Sequence, residues 1–480
     1  MTSPHSVAPV LVWIRRDLRL QDHAALVAAA KMGQPVVPVF VCDPEVDSLG
    51  AAARWRFGKG IEAFAARLEG MGSGLVLRRG EAAQTLSELA TETGASAVYW
   101  QHSYDPKNSE VEKEVHQVLN DQGVATRRFP GQLLFDPRSV VTKTGGPYKV
   151  FTPFWRAVRR RDVVLPLAAP DHLRRPEMWP NSDPLSSWGM GGRMSRGADV
   201  LARYTTAGEH FALAQLDSFV DARLEDYGRA RDVLAEDGCS GLSAALTYGE
   251  ISPATIWHRV SRAMHAGNPG AEGYLRQLVW RDFAWHLYYH DPKLPEREWK
   301  RDWARFKWNS ERTPEVAAWQ DGRTGIPLVD AGMRELYTTG HMHNRVRMVA
   351  ASFLTKHLRA DWRIGLNWFQ DCLVDWDPAS NAMGWQWVAG CGPDAAPYFR
   401  VFNPKAQAEK FDPDGSYRRR WIAEGQLAPE QTALDFFDAV PRQWALSPNR
   451  LYPPPVVDLA EGRQAALVAY EAWKATPTNA

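Results

Sequence analysis

The sequence predicts two domains, an N-terminal α/β domain built on a doubly wound parallel sheet and a large all-α C-terminal domain. Three observations predict this organisation. Up to about residue 130 short apolar runs alternate with segments of helical spacing, from about residue 205 the helical period dominates, and the stretch between is rich in proline, glycine, serine and arginine. With 480 residues, 45% of them hydrophobic, the chain can build more than one core. We expect domains at residues 1–130 and 205–480, joined by a linker at residues 131–204.

The N-terminal domain is predicted from its strands. Five apolar runs have strand length, helical segments such as residues 22–32 and 55–68 lie between them, and the predicted strands are residues 10–14, 36–41, 74–77, 97–100 and 125–129. Strands that alternate with helices form a parallel sheet, because each crossover helix packs on one of its faces. No Gly-x-Gly-x-x-Gly segment follows the first strand, so a nicotinamide-type phosphate site is not expected.

Composition and charge exclude several classes of protein. The net charge is +1, so only a local cluster of arginines could bind nucleic acid. The four cysteines show no paired spacing, which predicts neither a metal site nor a disulfide framework. No apolar run approaches the roughly 20 residues of a membrane span, and the N-terminus lacks a signal-peptide pattern, so we expect a cytoplasmic protein. The 21 tryptophans require a reason beyond core filling.

Two segments carry the clearest motifs. The first strand runs into an arginine-rich turn at residues 12–20, which by itself is more typical of a solvated charged loop. Residues 367–421 contain the runs DWDPASN at 375–381, GWQW at 384–387 and PYFRVFNP at 397–404. A coincidental match of this length and order is very improbable. On these residues the chain resembles the photolyase/cryptochrome family, most closely its bacterial cyclobutane pyrimidine dimer photolyases, along nearly its whole length.

The resemblance implies that the helical domain binds FAD and DNA, with Asp375, Asp377 and Asn381 in the flavin pocket. Taken alone, Asp377 before Pro378 is a helix N-cap followed by proline at the first helical position, and both interpretations can hold together. An amide that faces the reactive flavin nitrogen can hydrogen-bond several redox states without imposing a charge. We expect Asp375 to pair with Arg347, because an isolated buried charge is too costly to keep.

A second motif covers residues 341–348, which we predict to be helical. An arginine-rich amphipathic helix explains the pattern without any site, and its two histidines at i and i+2 do not face one way, which argues against a metal pair. The resemblance implies instead that Asn344, Arg347 and Met348 are flavin neighbours. It also implies that Arg345 and Met348 contact the DNA lesion.

A third motif covers residues 274–283. Gln277, Trp280 and Arg281 fall on one helical face, beside a separate apolar stripe. An exposed helix face is the plainer interpretation of this pattern. The resemblance implies that the face lines the flavin cavity, where Trp280 stacks on the lesion, whereas Tyr274, Gln277 and Arg281 meet the cofactor.

The resemblance also implies a segment that holds the cofactor phosphates through hydroxyls and backbone amides. The matching residues are Tyr227, Cys239, Ser240, Gly241, Leu242 and Ser243. Small hydroxyl residues at a helix start are ordinary caps as well, so this signal is weak by itself. The family normally has threonine where Cys239 stands, so we expect one phosphate hydroxyl fewer here.

Three tryptophans, Trp308, Trp362 and Trp385, match the chain that carries electrons from the surface to the flavin in this family. Most tryptophans fill cores, and nothing in the spacing of these three shows an electron path. The resemblance implies that path. Together with Gln277 and Asn344 they are the candidate catalytic residues.

Position 277 departs from the family pattern for dimer repair, which has a glutamate there facing the lesion. Glutamine at this place is familiar from six-four photolyases and animal cryptochromes. Those relatives carry histidines at the positions of Asn344 and Met348, and six-four repair is thought to need a histidine acid. We give the second marker more weight, because Gln277 can still hydrogen-bond thymine carbonyls, whereas asparagine and methionine cannot replace an acid.

The resemblance therefore implies a light-driven flavoenzyme that repairs cyclobutane pyrimidine dimers by electron transfer from reduced FAD to a lesion flipped out of the DNA. Trp280 and Trp387 would sandwich the dimer, and Gln277 and Asn344 would bond its polar edges. The candidate phosphate contacts are Arg231, Arg345 and Arg400.

Two alternatives remain, a cryptochrome-type blue-light photoreceptor and a six-four photolyase, the latter suggested by Gln277. Signalling relatives often carry a long C-terminal extension, whereas about sixty residues follow Trp421 here, which favours the enzyme. We expect a second, antenna chromophore, folate or deazaflavin, at the N-terminal domain. The expected partner is UV-damaged DNA, bound by a monomer.

Overall fold

A computed structural model describes residues 7–194, 196–394, 398 and 400–475. Its N-terminal domain is built on a parallel five-stranded sheet with the strand order β3-β2-β1-β4-β5. The strands are β1 (Val10–Ile14), β2 (Val36–Cys42), β3 (Val76–Arg79), β4 (Ala97–Gln101) and β5 (Ala125–Phe129). All five predicted strands are confirmed. β3 begins two residues later than its apolar run indicated and continues through Arg78 and Arg79, because these two residues still pair with β2.

Helices cover both faces of this sheet, as a buried parallel sheet requires. They are α1 (Ala24–Lys31), α2 (Pro44–Asp47), α3 (Ala51–Gly70), α4 (Ala82–Thr93) and α5 (Pro106–Asp121). α1 and α3 pack in one core with side chains of β1 and β2, whereas α4 and α5 pack in a second core on the opposite face. The doubly wound architecture predicted from the alternation of strands and helices is therefore confirmed.

The segment between the domains runs back over the sheet domain. It contains two short helices, α6 (Phe151–Val158) and α7 (Gly197–Leu201), and much of the rest is irregular. The amide of Val36 donates to the carbonyl of Arg174, and the amide of Asp183 donates to the carbonyl of Leu77, each at 2.8 Å. These bonds hold the segment against the edge and the end of the sheet.

The C-terminal domain is helical, as predicted. Its helices are α8 (Glu209–Ala222), α9 (Tyr227–Ala230), α10 (Ser243–Thr247), α11 (Pro253–His265), α12 (Ala271–His290), α13 (Pro314–Gln320), α14 (Pro327–Thr339), α15 (Asn344–Ser352), α16 (Trp362–Cys372), α17 (Pro378–Ala389), α18 (Pro404–Phe411), α19 (Ser416–Trp421), α20 (Gln431–Ala439) and α21 (Leu459–Ala475). α15 continues into a π-helical turn, Phe353–His357.

The two domains are joined by a buried ion pair. Arg56 of α3 reaches Glu250 of the helical domain with a bidentate contact of 2.6 and 2.7 Å, and both side chains are almost fully buried. Two parallel hydrogen bonds between charged groups fix orientation as well as distance. Within the part of the chain that the structure describes, the helices are too short or too polar to cross a bilayer.

Candidate functional site

A cavity of about 740 Å³, called the main cavity below, opens in the helical domain between α12, α15 and α17. One wall is formed by Tyr274, Gln277, Trp280 and Arg281 of α12. The apolar stripe of the same helix is buried in the core, which turns the polar residues toward the cavity. Gln277, Trp280 and Arg281, which the sequence places on one helical face, therefore line the same wall of the cavity.

The segment predicted to hold phosphates lies across the cavity from α12, where the lining includes Tyr227, Cys239, Ser240, Leu242 and Ser243. The hydroxyl of Tyr274 donates to Ser240 Oγ at 3.0 Å, which ties this segment to α12. Gly241 has a φ of +67° and lines a rear lobe of about 660 Å³. Ser240 and Ser243 line both lobes, so the two lobes lie side by side.

An ion pair with a buried carboxylate lines both lobes. Arg347 of α15 contacts both carboxylate oxygens of Asp375, at 3.0 and 3.2 Å, as the sequence predicted. Burial alone would raise the pKa of Asp375, but Arg347, His341 and a hydrogen bond with Ser243 together outweigh it and lower that pKa. The Arg347 Nε also donates to the carbonyl of Met342 at 2.8 Å, which fixes the guanidinium over the cavity.

A second carboxylate, Asp377, organises the start of α17. Its Oδ1 accepts from the amide of Ser380 at 2.7 Å, so the predicted N-cap is confirmed. Its Oδ2 accepts from Trp285 Nε1 at 2.8 Å and lies 3.9 Å from Arg281 Nε. One turn further, the side-chain amide of Asn381 donates to the Asp377 carbonyl at 3.0 Å, so its carboxamide faces the cavity in a fixed orientation.

The helix predicted over residues 341–348 starts later than expected. α15 begins at Asn344, because the imidazole of His343 accepts the free amide of Arg345 at 3.2 Å and caps the helix. Asn344 and Met348 remain one turn apart on the helix and both line the main cavity. His343 lines the rear lobe instead.

A second space, the interdomain cavity, has a volume of about 520 Å³. Arg15, Asp43 and His102 reach it from segments that directly follow β1, β2 and β4, whereas Trp285 and Asn367 belong to α12 and α16. Parallel sheets leave a crevice at the carboxyl ends of their strands where the strand order reverses, which here is between β1 and β4. The sequence assigned no residue to this cavity.

Beneath the interdomain cavity lies a buried carboxylate. Glu112 of α5 contacts Arg15 Nη2 and His102 Nδ1, each at 2.6 Å. Burial alone would raise the pKa of Glu112, but these two partners lower it to about 2. The carboxylate is therefore ionised and fixes the two side chains that line the cavity above it.

Comparison with known proteins decides the family. Residues 10–171 match the family described as DNA photolyase, and residues 274–472 match the FAD binding domain of DNA photolyase. A deoxyribodipyrimidine photo-lyase from Agrobacterium fabrum is 44% identical over 98% of this chain and 99% of its own length. The chain belongs to the DNA photolyase family.

Solved structures agree with this assignment. A bacterial class III photolyase from Agrobacterium tumefaciens matches with a TM-score of 0.90 and 43% identity, over 99% of this photolyase and 100% of that chain. An archaeal photolyase from Sulfolobus tokodaii, solved with two FAD molecules that imply a novel light-harvesting cofactor, matches with a TM-score of 0.78 and 28% identity. The match covers 97% of this chain and 100% of that chain. The fold and the flavin-binding domain of this photolyase therefore follow the family throughout.

Two of the three arginines expected to contact DNA already have partners in this photolyase. Arg231 Nη2 donates to Gln277 Oε1 at 3.4 Å, so it points at the cavity mouth. Arg345 pairs with Asp232 at 2.8 Å, with its guanidinium 4.5 Å from the ring centre of Phe411. Arg400 is exposed. Its motif neighbours, residues 397 and 399, lie outside the described residues.

The three tryptophans of the expected electron path are placed in or near the core of the helical domain. Trp385 of α17 packs on α16 so closely that a Cβ added at Gly365 would lie 2.1 Å from its ring. Trp362, one turn earlier on α16, is fully buried, and its Nε1 lies 3.5 Å from Glu298 Oε1. Trp308 is half-buried and packs 4.4 Å from the ring of Phe306. Trp385 and Trp362 are buried and Trp308 is partly exposed, and the electron path stays a prediction.

Several cavity residues were missed by sequence reasoning. Ser380 and Met383 line the main cavity and lie within or next to the 375–387 motifs, so helical spacing from Asn381 could have found them. Asp394 also lines it, with a φ of +58°. Nothing in the sequence around Asp394 signals that position, because a loop conformation carries no periodic pattern.

Proposed function

We propose that this photolyase repairs cyclobutane pyrimidine dimers in UV-damaged DNA by light-driven electron transfer from reduced FAD. The observation that carries the proposal is the mouth of the main cavity, where Trp280, Gln277, Asn344 and Met348 surround a space that is also lined by the Arg347–Asp375 pair. The name of the relative from Agrobacterium fabrum, a deoxyribodipyrimidine photo-lyase, supports the same lesion class.

The donor set of the cavity fits FAD. Ser240 and Ser243 offer hydroxyls to phosphates, and Asn381 offers a carboxamide to the ring system. Arg347 supplies a fixed positive charge whose partner, Asp375, is ionised, so the pair adds no net charge to the pocket. The two lobes, of about 740 and 660 Å³, give a large elongated ligand room to fold. Reduced flavin bound here supplies, on excitation by light, the electron that splits the dimer.

The mouth residues would hold the lesion without supplying an acid. Trp280 and Trp387 line the cavity and offer aromatic faces for stacking, which for bases contributes about 1–3 kcal/mol each. Arg231 bonds the oxygen of the Gln277 side chain, so the amide nitrogen is the atom turned to a ligand. That nitrogen can donate to a pyrimidine carbonyl, and Asn344 can bond the other polar edge.

The same residues disfavour six-four repair, although Gln277 suggests it. Asn344 and Met348 face the cavity where a histidine acid would be needed. The neighbouring histidines, His341 and His343, line the rear lobe, and burial lowers the pKa of His343 to about 4. At neutral pH His343 is therefore uncharged and directed away from the mouth.

The interdomain cavity is the proposed site of an antenna chromophore of the folate or deazaflavin type. Trp285 and Tyr288 of α12 offer aromatic walls there, and Arg15 offers a fixed cation. Since Trp285 also bonds Asp377, which lines the main cavity, a chromophore in this space would lie close to the flavin. Both cavities are formed by this one chain, which supports the proposal of a monomer. We also propose that it acts in the cytoplasm.

The function is tested with defined oligonucleotides that carry either a cyclobutane dimer or a six-four photoproduct. The fully reduced wild type is expected to split the dimer into two pyrimidines in the light and not in the dark, and to leave the six-four product unchanged. Gln277→Glu is expected to keep dimer repair, because a carboxyl occupies the same place. Repair of neither lesion would contradict the proposal and favour a photoreceptor, and repair of the six-four product alone would favour that second enzyme class.

A further inference from the structure

Trp280 is already covered on one of its two faces. The ring of Phe151, the first residue of α6, lies parallel to the indole, with a centroid separation of 3.6 Å and an interplanar angle of 10°. Trp280 lines the main cavity, whereas Phe151 lies behind it, outside the described lining. A base can therefore stack on the indole from the cavity side alone.

Phe151 is itself firmly held. Its side chain is 2% exposed, and the ring of Phe283 packs edge-on at 5.8 Å. Its backbone N–H donates to the carboxylate of Asp394 at 3.3 Å. Since Asp394 lies at the cavity, α6 of the linker and the loop that follows α17 fix Phe151 together.

The indole gains its orientation from this contact. Trp280 is only half-buried on α12, and its other aromatic neighbour, Phe283, meets it edge-on at 5.7 Å and 76°. A half-exposed indole without the parallel ring could adopt several side-chain rotamers, and binding would have to select one of them. A side chain that is ordered before the ligand arrives does not lose that freedom on binding.

We propose that Phe151 is a positioning residue for the lesion, which holds Trp280 so that one preformed aromatic face meets a flipped-out pyrimidine dimer. The proposal rests on the proposed function, in which Trp280 is a wall of the lesion site. Phe151 does not touch the substrate and acts through Trp280. The linker thereby takes part in lesion recognition from outside the helical domain.

Phe151→Leu tests the proposal, because leucine keeps an apolar side chain and removes the flat ring. In the dark, its dissociation constant for a dimer-containing oligonucleotide is expected to rise about 3- to 10-fold, while that for the undamaged strand is unchanged. At saturating DNA the dimers split per absorbed photon should equal the wild-type value, since the flavin and its contacts are untouched. Phe151→Tyr keeps the ring and is expected to retain wild-type affinity.

Phe154→Leu is the matched control. Phe154 lies one turn further along the same helix and packs on Phe283 at 5.2 Å and on His286 at 5.1 Å. Among the described residues, its ring contacts do not include Trp280. A general loosening of α6 would affect both leucine variants, whereas the proposal predicts weaker lesion binding for Phe151→Leu alone. In a Trp280→Ala background, Phe151→Leu should cause no further loss.

Three results would overturn the proposal. The first is an unchanged dissociation constant for dimer-containing DNA in Phe151→Leu. The others are a loss of affinity in Phe154→Leu equal to that in Phe151→Leu, or an undiminished loss when Phe151→Leu is added to Trp280→Ala. If Phe151→Leu does not fold, Asp394→Ala replaces it in the test. Its affinity for dimer-containing DNA is expected to fall about 2-fold, and to fall no further than that of Trp280→Ala when the two substitutions are combined. A wild type without preference for the lesion overturns the proposed function together with this inference. A preference that Phe151→Leu leaves intact overturns the inference alone.

Discussion

The main cavity and the interdomain cavity are assembled in different ways. The walls of the main cavity come from short continuous runs, above all residues 274–281 on α12 and 375–388 leading into α17. The interdomain cavity collects its lining from the ends of three strands and the turns that follow them, among them residues 15–17, 101–103 and 105–108, and from later turns of α12 and from α16. Lining residues on helices repeat at helical spacing, which the sequence shows, whereas lining residues in turns after strands follow no periodic pattern.

The two cavities are nevertheless coupled through α12. Residues 280 and 281 face the main cavity, whereas Trp285 and Tyr288, about one and two turns further, face the interdomain cavity. Trp285 then donates to Asp377, the cap of α17. One helix and one hydrogen bond therefore separate the proposed antenna site from the flavin pocket. The predictions below test whether the cavities can be altered independently.

The largest effect is expected from Arg347→Met in the main cavity. Removing Arg347, which is itself 24% exposed, leaves the buried carboxylate of Asp375 without its cation, which costs up to about 3 kcal/mol, so we expect weak FAD retention and a lower free energy of unfolding. The measurements are the ratio of FAD to protein and urea unfolding.

Arg345→Met is its control. Arg345 is about as exposed as Arg347, 21% against 24%, but its partner Asp232 is 35% exposed whereas Asp375 is 4% exposed, so the loss should stay below about 1 kcal/mol and FAD should remain bound. Equal FAD loss in both variants would contradict the role given to Asp375 and Arg347.

A similar but pH-dependent effect is expected from Glu112→Gln under the interdomain cavity. The pKa of Glu112 falls from an ordinary 4.5 to about 2 on folding, so its ionised form stabilises the native state above about pH 4.5. That stabilisation, about 3 kcal/mol, is lost as the pH falls from 4.5 toward 2. The difference in unfolding free energy between wild type and variant should therefore be full at pH 7 and shrink below pH 4.5.

Glu110→Gln on the same helix is the control. Glu110 pairs with Lys113 at the surface, with its side chain 73% exposed, and we expect little change at any pH. If the difference in unfolding free energy between wild type and Glu112→Gln is as large at pH 3 as at pH 7, the assigned ion pairs are contradicted.

Trp280→Ala should weaken binding of dimer-containing DNA by about 10- to 100-fold, because a base–aromatic stack contributes about 1–3 kcal/mol. FAD content should be unchanged, since Trp280 belongs to the mouth. Fluorescence anisotropy with damaged and undamaged strands measures both affinities. An equal loss for undamaged DNA would assign Trp280 to general DNA contact.

The smallest effect is expected from Asn367→Trp, which fills the interdomain cavity from the exposed side of α16. The purified variant should lose the antenna absorption and repair several-fold less under light that the antenna absorbs. Under light absorbed by the flavin directly, repair should be unchanged. Asn367→Ala leaves the cavity open and should keep the antenna, so loss of antenna absorption in both variants would contradict this placement.

These contrasts also explain how far the sequence alone could lead. The strands were predictable because β1, β2 and β4 are buried along their whole length and therefore consist mainly of consecutive apolar residues. The cap at Asp377 followed from the motif, and the pairing of Asp375 with Arg347 followed from the cost of a buried charge. The stack of Phe151 on Trp280 could not be predicted, because it joins an irregular linker to a helix 129 positions later without any local pattern. The start of α15 was placed three residues early because a capping histidine resembles its helical neighbours in sequence.

The central claim is that light moves an electron from bound reduced flavin to a dimer at the mouth formed by Gln277, Trp280 and Asn344. The most direct measurement is the fluorescence lifetime of the reduced flavin with saturating lesion-containing DNA, with undamaged DNA, and without DNA, together with the dimers split per flash. The account predicts a lifetime that is shortened by the lesion alone, with dimer loss in proportion to the quenching. Equal lifetimes with damaged and undamaged DNA at saturation would contradict it.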